Sequence, residues 1–492
     1  MSKTVKYILL ALGVTSILAL VLLSFFRPLW LDPSIILVEM ERIAEGYIPY
    51  KTMHLNYPPL LFYLMAGLKK LFNVPYGCYQ FYLAIHYLFS FGCAYCVYGI
   101  SKEFGAAKWL SLAAAWFFLI LSIWLWGDCV LFEIPTAFWG LLACFLVLRF
   151  KENNPLSFIF VGLICALSFL TKQFGAGFFP LGLWLVFTFS SDKKVTRSGL
   201  FTLGYLIPIL VCLLIWGREF ISSTILNGYG NSSTRELIGD QTTAIGRYIM
   251  GMIYVCTRFP MIPLAVLLLP KAFKEDKWKQ TLFCLFGIGG FSLQFAFTIV
   301  KSISIPGDVL HYLLLLAPFI PILTSVLASM KGKLYNGLLL VCCTISLLFS
   351  TYKLVRWSIP EYFNKDEIMI QQRLSDAVSK YVYKAETAWI VDVDLEFLYY
   401  SGNLRPAVMD VVGYSTSFFE MTAEKAKMEM RKVDYVILYD LEGPSGIWRI
   451  YYDPEVQSYV EAFPKIKIGE YHGIDVVLYD LKKNRADGSI TQ

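Results

Sequence analysis

Charge is scarce in this 492-residue chain: Asp, Glu, Lys and Arg make 16% of it, against 57% hydrophobic residues and a mean hydropathy of +0.57. Soluble domains carry about 25% charged residues, so the composition excludes an ordinary soluble globule and puts the chain in a bilayer. No block of consecutive Lys or Arg resembles a nucleic-acid-binding arm, so the net charge of +6 does not point to nucleic acid. Cysteine is missing before Cys78 and after Cys343, which excludes a secreted domain held by a disulfide framework. The eleven cysteines fall in or beside apolar runs, where cysteine packs as a small apolar residue. Cys93-x-x-Cys96 is of this kind, and His86 in the same run is expected to bond a neighbouring helix. There is no glycine-rich phosphate loop, no internal repeat and no low-complexity segment.

What is present is a succession of long apolar runs. The first, Ile8 to Phe26, is too long for a signal peptide's hydrophobic region and ends without a small-residue cleavage site, so it reads as a retained helix. Further spans are expected near 79–100, 109–126, 132–149, 156–171, 174–190, 199–216, 248–270, 281–300, 309–329 and 334–351. The run at 58–72 opens with Pro58-Pro59 and carries Lys69 and Lys70. If it does not cross, the loops 1–7, 101–108, 149–155, 191–198, 271–280 and 331–333 are cytoplasmic and hold fifteen of the twenty-six Lys and Arg before residue 352. If it crossed, the positive-inside rule would fail at each later loop. The expected architecture is therefore a polytopic α-helical membrane protein of about eleven transmembrane helices, with a cytoplasmic N-terminus. Residues 1–351 form the membrane part, with an exterior first loop at 27–78, and residues 352–492 form a small exterior α/β domain. In that tail, strand-like runs at 388–392, 434–439 and 475–479 alternate with helical patterns such as 422–433. The membrane part has twenty-six basic against fifteen acidic residues, and the tail seventeen against twenty-two. The overall charge thus combines an orientation signal with an acidic exterior domain.

On this topology the polar residues gather at the exterior face. Asp32 stands just past the first span, and Pro33 behind it suits the N-cap of a surface helix ending at Gly46. Asp128 and Glu133 share the turn between the third and fourth of these spans, and Glu133 also favours the positive end of the helix it begins. Lys172 lies in another exterior turn, where snorkelling alone explains it. Arg258 sits about ten residues into a span, where an arginine requires a carboxylate or a phosphate. His311 and Tyr312 open a later span, and His54 and Tyr57 lie in the first loop. Carboxylates and cations on one face suit transfer of a group from a phosphate to a hydroxyl, with Asp32 as general base and Lys172 and Arg258 offsetting phosphate charge. Asp128, Tyr57, His54, His311 and Tyr312 complete the set as substrate contacts. Asn231-Ser-Ser is a glycosylation triplet, and the polar 217–247 segment reads either as a gate over the site or as a plain surface excursion.

The order of these pieces resembles the GT-C superfamily of membrane glycosyltransferases. The motifs are an acid after the first helix, Arg42-Ile-Ala-Glu-Gly-Tyr-Ile-Pro-Tyr50, Tyr57-Pro-Pro-Leu60, Leu170-Thr-Lys-Gln-Phe-Gly175 and His311-Tyr-Leu-Leu-Leu-Leu-Ala-Pro-Phe319. They are similar to the branch containing protein O-mannosyltransferases and lipid A aminoarabinose transferases. The resemblance implies a polyprenyl-phosphate sugar donor, inverting transfer on the exterior side to a lipid, glycan or protein acceptor, and Asp32 as the catalytic acid. It implies that Glu133 helps to position the acceptor or a divalent metal; no motif names another cofactor. Pro33 follows Asp32 where many members have a second acid, and Asn56-Tyr57 stands where aminoarabinose transferases have Glu-Lys. Arg42, Lys172 or Arg258 must then hold the donor phosphate. The other function classes are a transporter or flippase of lipid-linked sugars, which would be expected to show paired repeats with broken helices, and a non-catalytic membrane assembly protein. The topology is testable: single cysteines introduced at Lys70 and Lys193 should react with an impermeant thiol reagent from opposite faces, and labelling of both from one face would overturn it.

Overall fold

The computed structural model of the chain describes residues 31–53, 55, 57–125, 127–190, 192–226, 244–298, 310–353, 355–356, 360, 364–383, 386–391, 395, 397–401, 404–406, 422–440 and 454–482, with 14, 17–18, 21–25 and 27. The helices, in chain order, are α1 Leu31–Glu45, α2 Leu60–Leu71, α3 Tyr79–Glu103, α4 Lys108–Trp124, α5 Glu133–Arg149, α6 Ser157–Thr171, α7 Phe178–Phe189 and α8 Lys194–Ile221. They continue with α9 Ala244–Arg258, α10 Met261–Leu267, α11 Leu269–Lys274, α12 Trp278–Thr298, α13 Phe319–Ala328, α14 Lys333–Lys353, α15 Lys365–Ser379, α16 Phe397–Ser401, α17 Ala423–Met430 and α18 Pro454–Glu461. The strands are β1 Ala388–Ile390, β2 Tyr435–Tyr439, β3 Lys465–Tyr471 and β4 Ile474–Asp480. The chain divides into two compact units, one of residues 1–26, 83–217 and 234–362, the other of residues 27–82, 218–233 and 363–492.

The first unit is a bundle of apolar helices. Helices α6 and α8 meet backbone to backbone: a Cβ on Gly162 would fall 2.1 Å from the Phe201 carbonyl oxygen, and one on Gly204 would fall 2.1 Å from that of Ile159. Small residues let helices approach closely where solvent provides no hydrophobic drive. Elsewhere aromatic rings fill the gaps, with Phe178 4.8 Å from Phe291 and 6.1 Å from Phe319 between centroids. Helix α8 presents Leu203, Leu206, Ile207, Leu210, Val211 and Leu214 outward, the last 86% exposed, an apolar face suited to lipid.

Hydropathy predicts eleven crossings; among the described residues two helices, Tyr79–Glu103 and Lys194–Thr224, have both the length and the apolarity to cross a membrane. Lys108–Trp124 and Ser157–Thr171 are shorter apolar helices. For these shorter helices the reason is geometric. A helix of 17 residues such as α4 extends about 25 Å at 1.5 Å per residue, short of a hydrocarbon core of roughly 30 Å. Two expected spans are also interrupted. The run 248–270 breaks into α9, α10 and α11, with Pro260 and Pro270 at the joints, because proline lacks an N–H and disfavours a helical residue before it. The run 309–329 opens as a 3-10 turn, Leu310–Leu315, and becomes helical again after Pro318. Most of the first run, 8–26, lies outside the described residues.

The second unit joins the first-loop helices to the C-terminal chain. Its sheet has the order β1-β2-β4-β3, with β1 and β2 parallel and the other pairs antiparallel. Strand β3, where alternate lysines face outward, has no counterpart among the predicted strand runs; it closes on β4 through His472 and Gly473, whose φ values of 51° and 80° make a two-residue hairpin turn. Helix α15 packs on β3, and α1 packs on both α2 and α16. The expected surface helix is thus corrected: α1 is buried from Pro33 to Ile43, because these helices enclose it. It begins at Leu31, so Asp32 lies in its first turn rather than at the cap, and it ends before Gly46, whose φ is +106°.

At the edge of this sheet Glu386 accepts hydrogen bonds from Lys482 Nζ (2.5 Å), the Tyr383 N–H (2.8 Å) and Tyr435 Oη (3.0 Å). Partial burial alone would raise the Glu386 pKa, but these donors outweigh it and hold the carboxyl below its ordinary value. A carboxyl lowered by folding contributes stability that is complete above its unfolded pKa and fades as pH falls through the folded one. Amide exchange of β1 and β2 in the intact chain should accelerate as pH drops below about 4.3, after correction for intrinsic rates, and Glu386→Gln should flatten that dependence. An unchanged acid limb in the variant would refute it.

Candidate functional site

In the first unit, Glu133 is the first residue of α5 and is buried, its carboxylate at the positive end of the helix. Lys172 follows the last residue of α6 in extended conformation (φ −151°, ψ 136°) and turns its ammonium onto Glu133 Oε1. The Lys172 and Glu133 side chains are 4% and 1% exposed, so the ion pair is shut off from solvent. The local sequence makes this turn possible. A Cβ on Gly175 would fall 2.2 Å from the Ser168 carbonyl oxygen, so only glycine lets the chain fold back tightly behind Lys172. Ser168 Oγ donates to the Thr136 carbonyl at 2.8 Å, tying α6 to the first turn of α5. The rings of Phe132 and Phe174 each lie 6.0 Å from the Lys172 ammonium.

Two histidines stand near the pair. His311, buried in the 3-10 turn that packs on α5, lies close enough to Glu133 to bear on it electrostatically. His86, fully buried in α3, meets the Gly127 carbonyl through Nε2 at 3.1 Å, with Asp128 and Glu133 within electrostatic range. Asp128 is buried, with Cys129 Sγ 3.8 Å from its Oδ1. The structure therefore brings Glu133, Lys172, His311, His86 and Asp128 into one polar cluster within an apolar bundle. Arg258 is the last residue of α9 rather than a mid-span residue, because the helix stops at Pro260. Its guanidinium lies 3.5 Å from the Tyr254 ring centroid and donates to Thr257 Oγ1 at 2.9 Å.

The second unit holds the other candidates. Asp32 is the second residue of α1; its side chain, His54 and the side chain of Tyr312 lie outside the described residues. Arg42 is buried, with Nη1 3.8 Å from Glu39 Oε2 and the Tyr47 ring 4.6 Å from its guanidinium carbon. Tyr57 is half-buried, and its carbonyl accepts from Tyr50 Oη at 2.6 Å. Sequence reasoning missed Glu41 and Lys69. Glu41 is fully buried and receives the Lys69 ammonium together with Tyr82 Oη and the Gly77 N–H, each at 3.2 Å. The available signal was the group Glu39, Glu41 and Arg42 following the apolar run Ile35–Val38, residues that require partners once that stretch of helix is enclosed.

Among the described residues no three His, Cys, Asp or Glu gather to hold an ion, and the Glu133 carboxylate already faces an ammonium.

No protein-family model and no curated protein matches the sequence. Solved structures do match. The aminoarabinose transferase ArnT from Cupriavidus metallidurans in its apo state has a TM-score of 0.53 at 13% identity, over 97% of this chain and 98% of that one. ArnT from the same organism bound to undecaprenyl phosphate has a TM-score of 0.54 at 13% identity, over 95% and 97%.

The buried pair makes its own prediction. Glu133→Gln alone strands the Lys172 ammonium and should destabilise the chain by about 3–5 kcal/mol, whereas Glu133→Gln with Lys172→Met should recover most of the loss. Unfolding in detergent measures both, and additive effects would contradict a coupled pair. At this identity the likeness to ArnT, over nearly the whole of both chains, is one of fold alone.

Proposed function

We propose that the chain is an integral-membrane glycosyltransferase that moves a sugar from a polyprenyl-phosphate donor to an acceptor hydroxyl on the exterior face. The observation that carries this reading is the likeness to ArnT over nearly the whole of both chains, since it takes in the C-terminal domain as well as the membrane helices. One of those ArnT structures holds undecaprenyl phosphate, which makes a lipid phosphate the natural leaving group here.

In the proposed reaction the acceptor oxygen attacks the anomeric carbon from the face opposite the phosphate. Asp32 takes the hydroxyl proton, the bond from that carbon to the phosphate oxygen breaks, and the electron pair leaves on the lipid phosphate, so configuration inverts. No protein nucleophile is required. Arg42 and Arg258 are the proposed phosphate cations. Glu133, held by Lys172, orients the acceptor together with Asp128 and His311. Tyr57, His54 and Tyr312 complete the substrate contacts, and no step is assigned to a metal. The chain lies in the membrane with its N-terminus cytoplasmic and its C-terminal domain exterior.

The test is Asp32→Asn in the full chain, assayed with a polyprenyl-phosphate sugar. Turnover should fall about 10²- to 10⁴-fold, the usual contribution of a general base, while donor lipid still binds. Undiminished turnover would remove Asp32 from this role. Vesicles in which the parent chain moves the lipid-linked sugar across the bilayer without transferring it would establish a flippase instead.

A further inference from the structure

The second unit contains a connection that the reaction scheme does not use. Arg405 belongs by its backbone to the C-terminal sheet: the Ala388 N–H of β1 donates to its carbonyl at 3.0 Å, and Arg405 forms an isolated parallel bridge with Thr387. Its side chain leaves the sheet and forms an ion pair with Glu45 in the last turn of α1, Nε lying 3.2 Å from Oε1. The preceding residue adds a second tie, since Tyr76 Oη donates to the Leu404 carbonyl at 2.8 Å. The Tyr76 ring lies between two cations, 5.8 Å from the Arg405 guanidinium carbon and 5.2 Å from the Lys69 ammonium. Lys69 in turn pairs with Glu41 of α1.

We propose that Arg405 is a positioning residue that couples the C-terminal sheet to the helix carrying Asp32. The reasoning is mechanical. Helix α1 is enclosed from Pro33 to Ile43 and moves as one body, so its two ends are linked. Asp32 and Glu45 are thirteen residues apart, about 20 Å along a helix. A contact that fixes the Glu45 end therefore restricts where the Asp32 end can sit. Arginine suits the position because its planar fork bonds a carboxylate while its face lies against an aromatic ring; lysine offers a point charge and no such plane. A loop beside a sheet does not otherwise require an arginine that reaches back to the first-loop helix.

The catalytic part of the inference rests on the transferase reading, whereas the mechanical part does not, and the experiment separates them. Amide exchange is followed in the intact chain in nanodiscs, with turnover of a polyprenyl-phosphate sugar in parallel. Arg405→Ala should accelerate exchange in α1 by about three- to fivefold, the scale of a part-exposed ion pair, and leave β2 and β4 unchanged. It should lower kcat by a similar factor with the donor KM unaltered. Arg405→Lys should recover part of each effect, and the reversed pair Glu45→Arg with Arg405→Glu should recover most. Glu45→Gln, which leaves the sheet's own contacts untouched, should reproduce the Arg405→Ala result and guards against a variant that does not fold. Unchanged α1 exchange in both Arg405→Ala and Glu45→Gln, or equal acceleration in the sheet, would overturn the proposal. If the parent chain transfers no sugar, the transferase reading fails and the exchange result still decides whether Arg405 couples the two elements.

Discussion

An ionised carboxylate cannot be enclosed by apolar side chains unless a cation accompanies it, and this requirement organises the polar parts of the molecule. Desolvation of each ion costs several kcal/mol, recovered when the partner is close and the remaining hydrogen-bonding positions are filled. Glu133 meets this condition through Lys172, and Glu41 meets it through Lys69, Tyr82 and Gly77. Each pair draws its members from different elements. Glu133 begins α5 and Lys172 follows α6; Glu41 is in α1 and Lys69 in α2. The pairs thus fix which helices are neighbours, a task that apolar packing alone performs with little directional preference. They also bear on recognition. A lysine committed to a buried glutamate neutralises it before any anionic ligand arrives, as Lys172 does for Glu133.

Much of the architecture is legible in the sequence because hydropathy is a strong signal over twenty residues. Helices lie where apolar runs at 79–100, 109–126, 132–149, 156–171 and 281–300 predict them, and of the four strands among the described residues β1 and β2 fall within predicted runs and β4 contains one. The departures have local causes. Hydropathy averaging passes over Pro260 and Pro318, since proline is not polar enough to interrupt an apolar window, yet it breaks the hydrogen-bond ladder. It likewise gives no weight to β3, whose Lys465, Lys467 and Glu470 make the run polar although Ile468 and Tyr471 face inward.

The site was legible in its residue types and less so in its pairings. Asp128, Glu133, Lys172 and His311 stand out as rare polar residues near span ends, and the fold gathers them with His86. Nothing in the linear sequence ties residue 133 to residue 172, because the two are joined only when α5 and α6 pack. The same applies to α1. A stretch with Glu39, Glu41 and Arg42 looks amphipathic enough for a surface until α2 and α16 cover it. Burial by distant chain is a tertiary property, and local patterning carries no trace of it.

The candidate residues follow one rule of position. Asp32 and Glu133 occupy the first turns of α1 and α5, while Lys172 and Arg258 stand at the C-terminal ends of α6 and α9. Acids are thus at the positive ends of helices and cations at the negative ends, an arrangement worth about 0.3–1 kcal/mol for each charge. In a bundle with so few polar groups, helix ends are where unsatisfied N–H and C=O groups already require polar company, so charged residues are stabilised there whether or not they react. Position at a helix end therefore explains why these residues are tolerated. Glu133 and Lys172 go further, because the two ends have been brought together so that each charge, besides suiting its own helix terminus, pairs with the other. A pair fixed in this way needs little rearrangement when a substrate arrives, which is what electrostatic positioning of an acceptor requires.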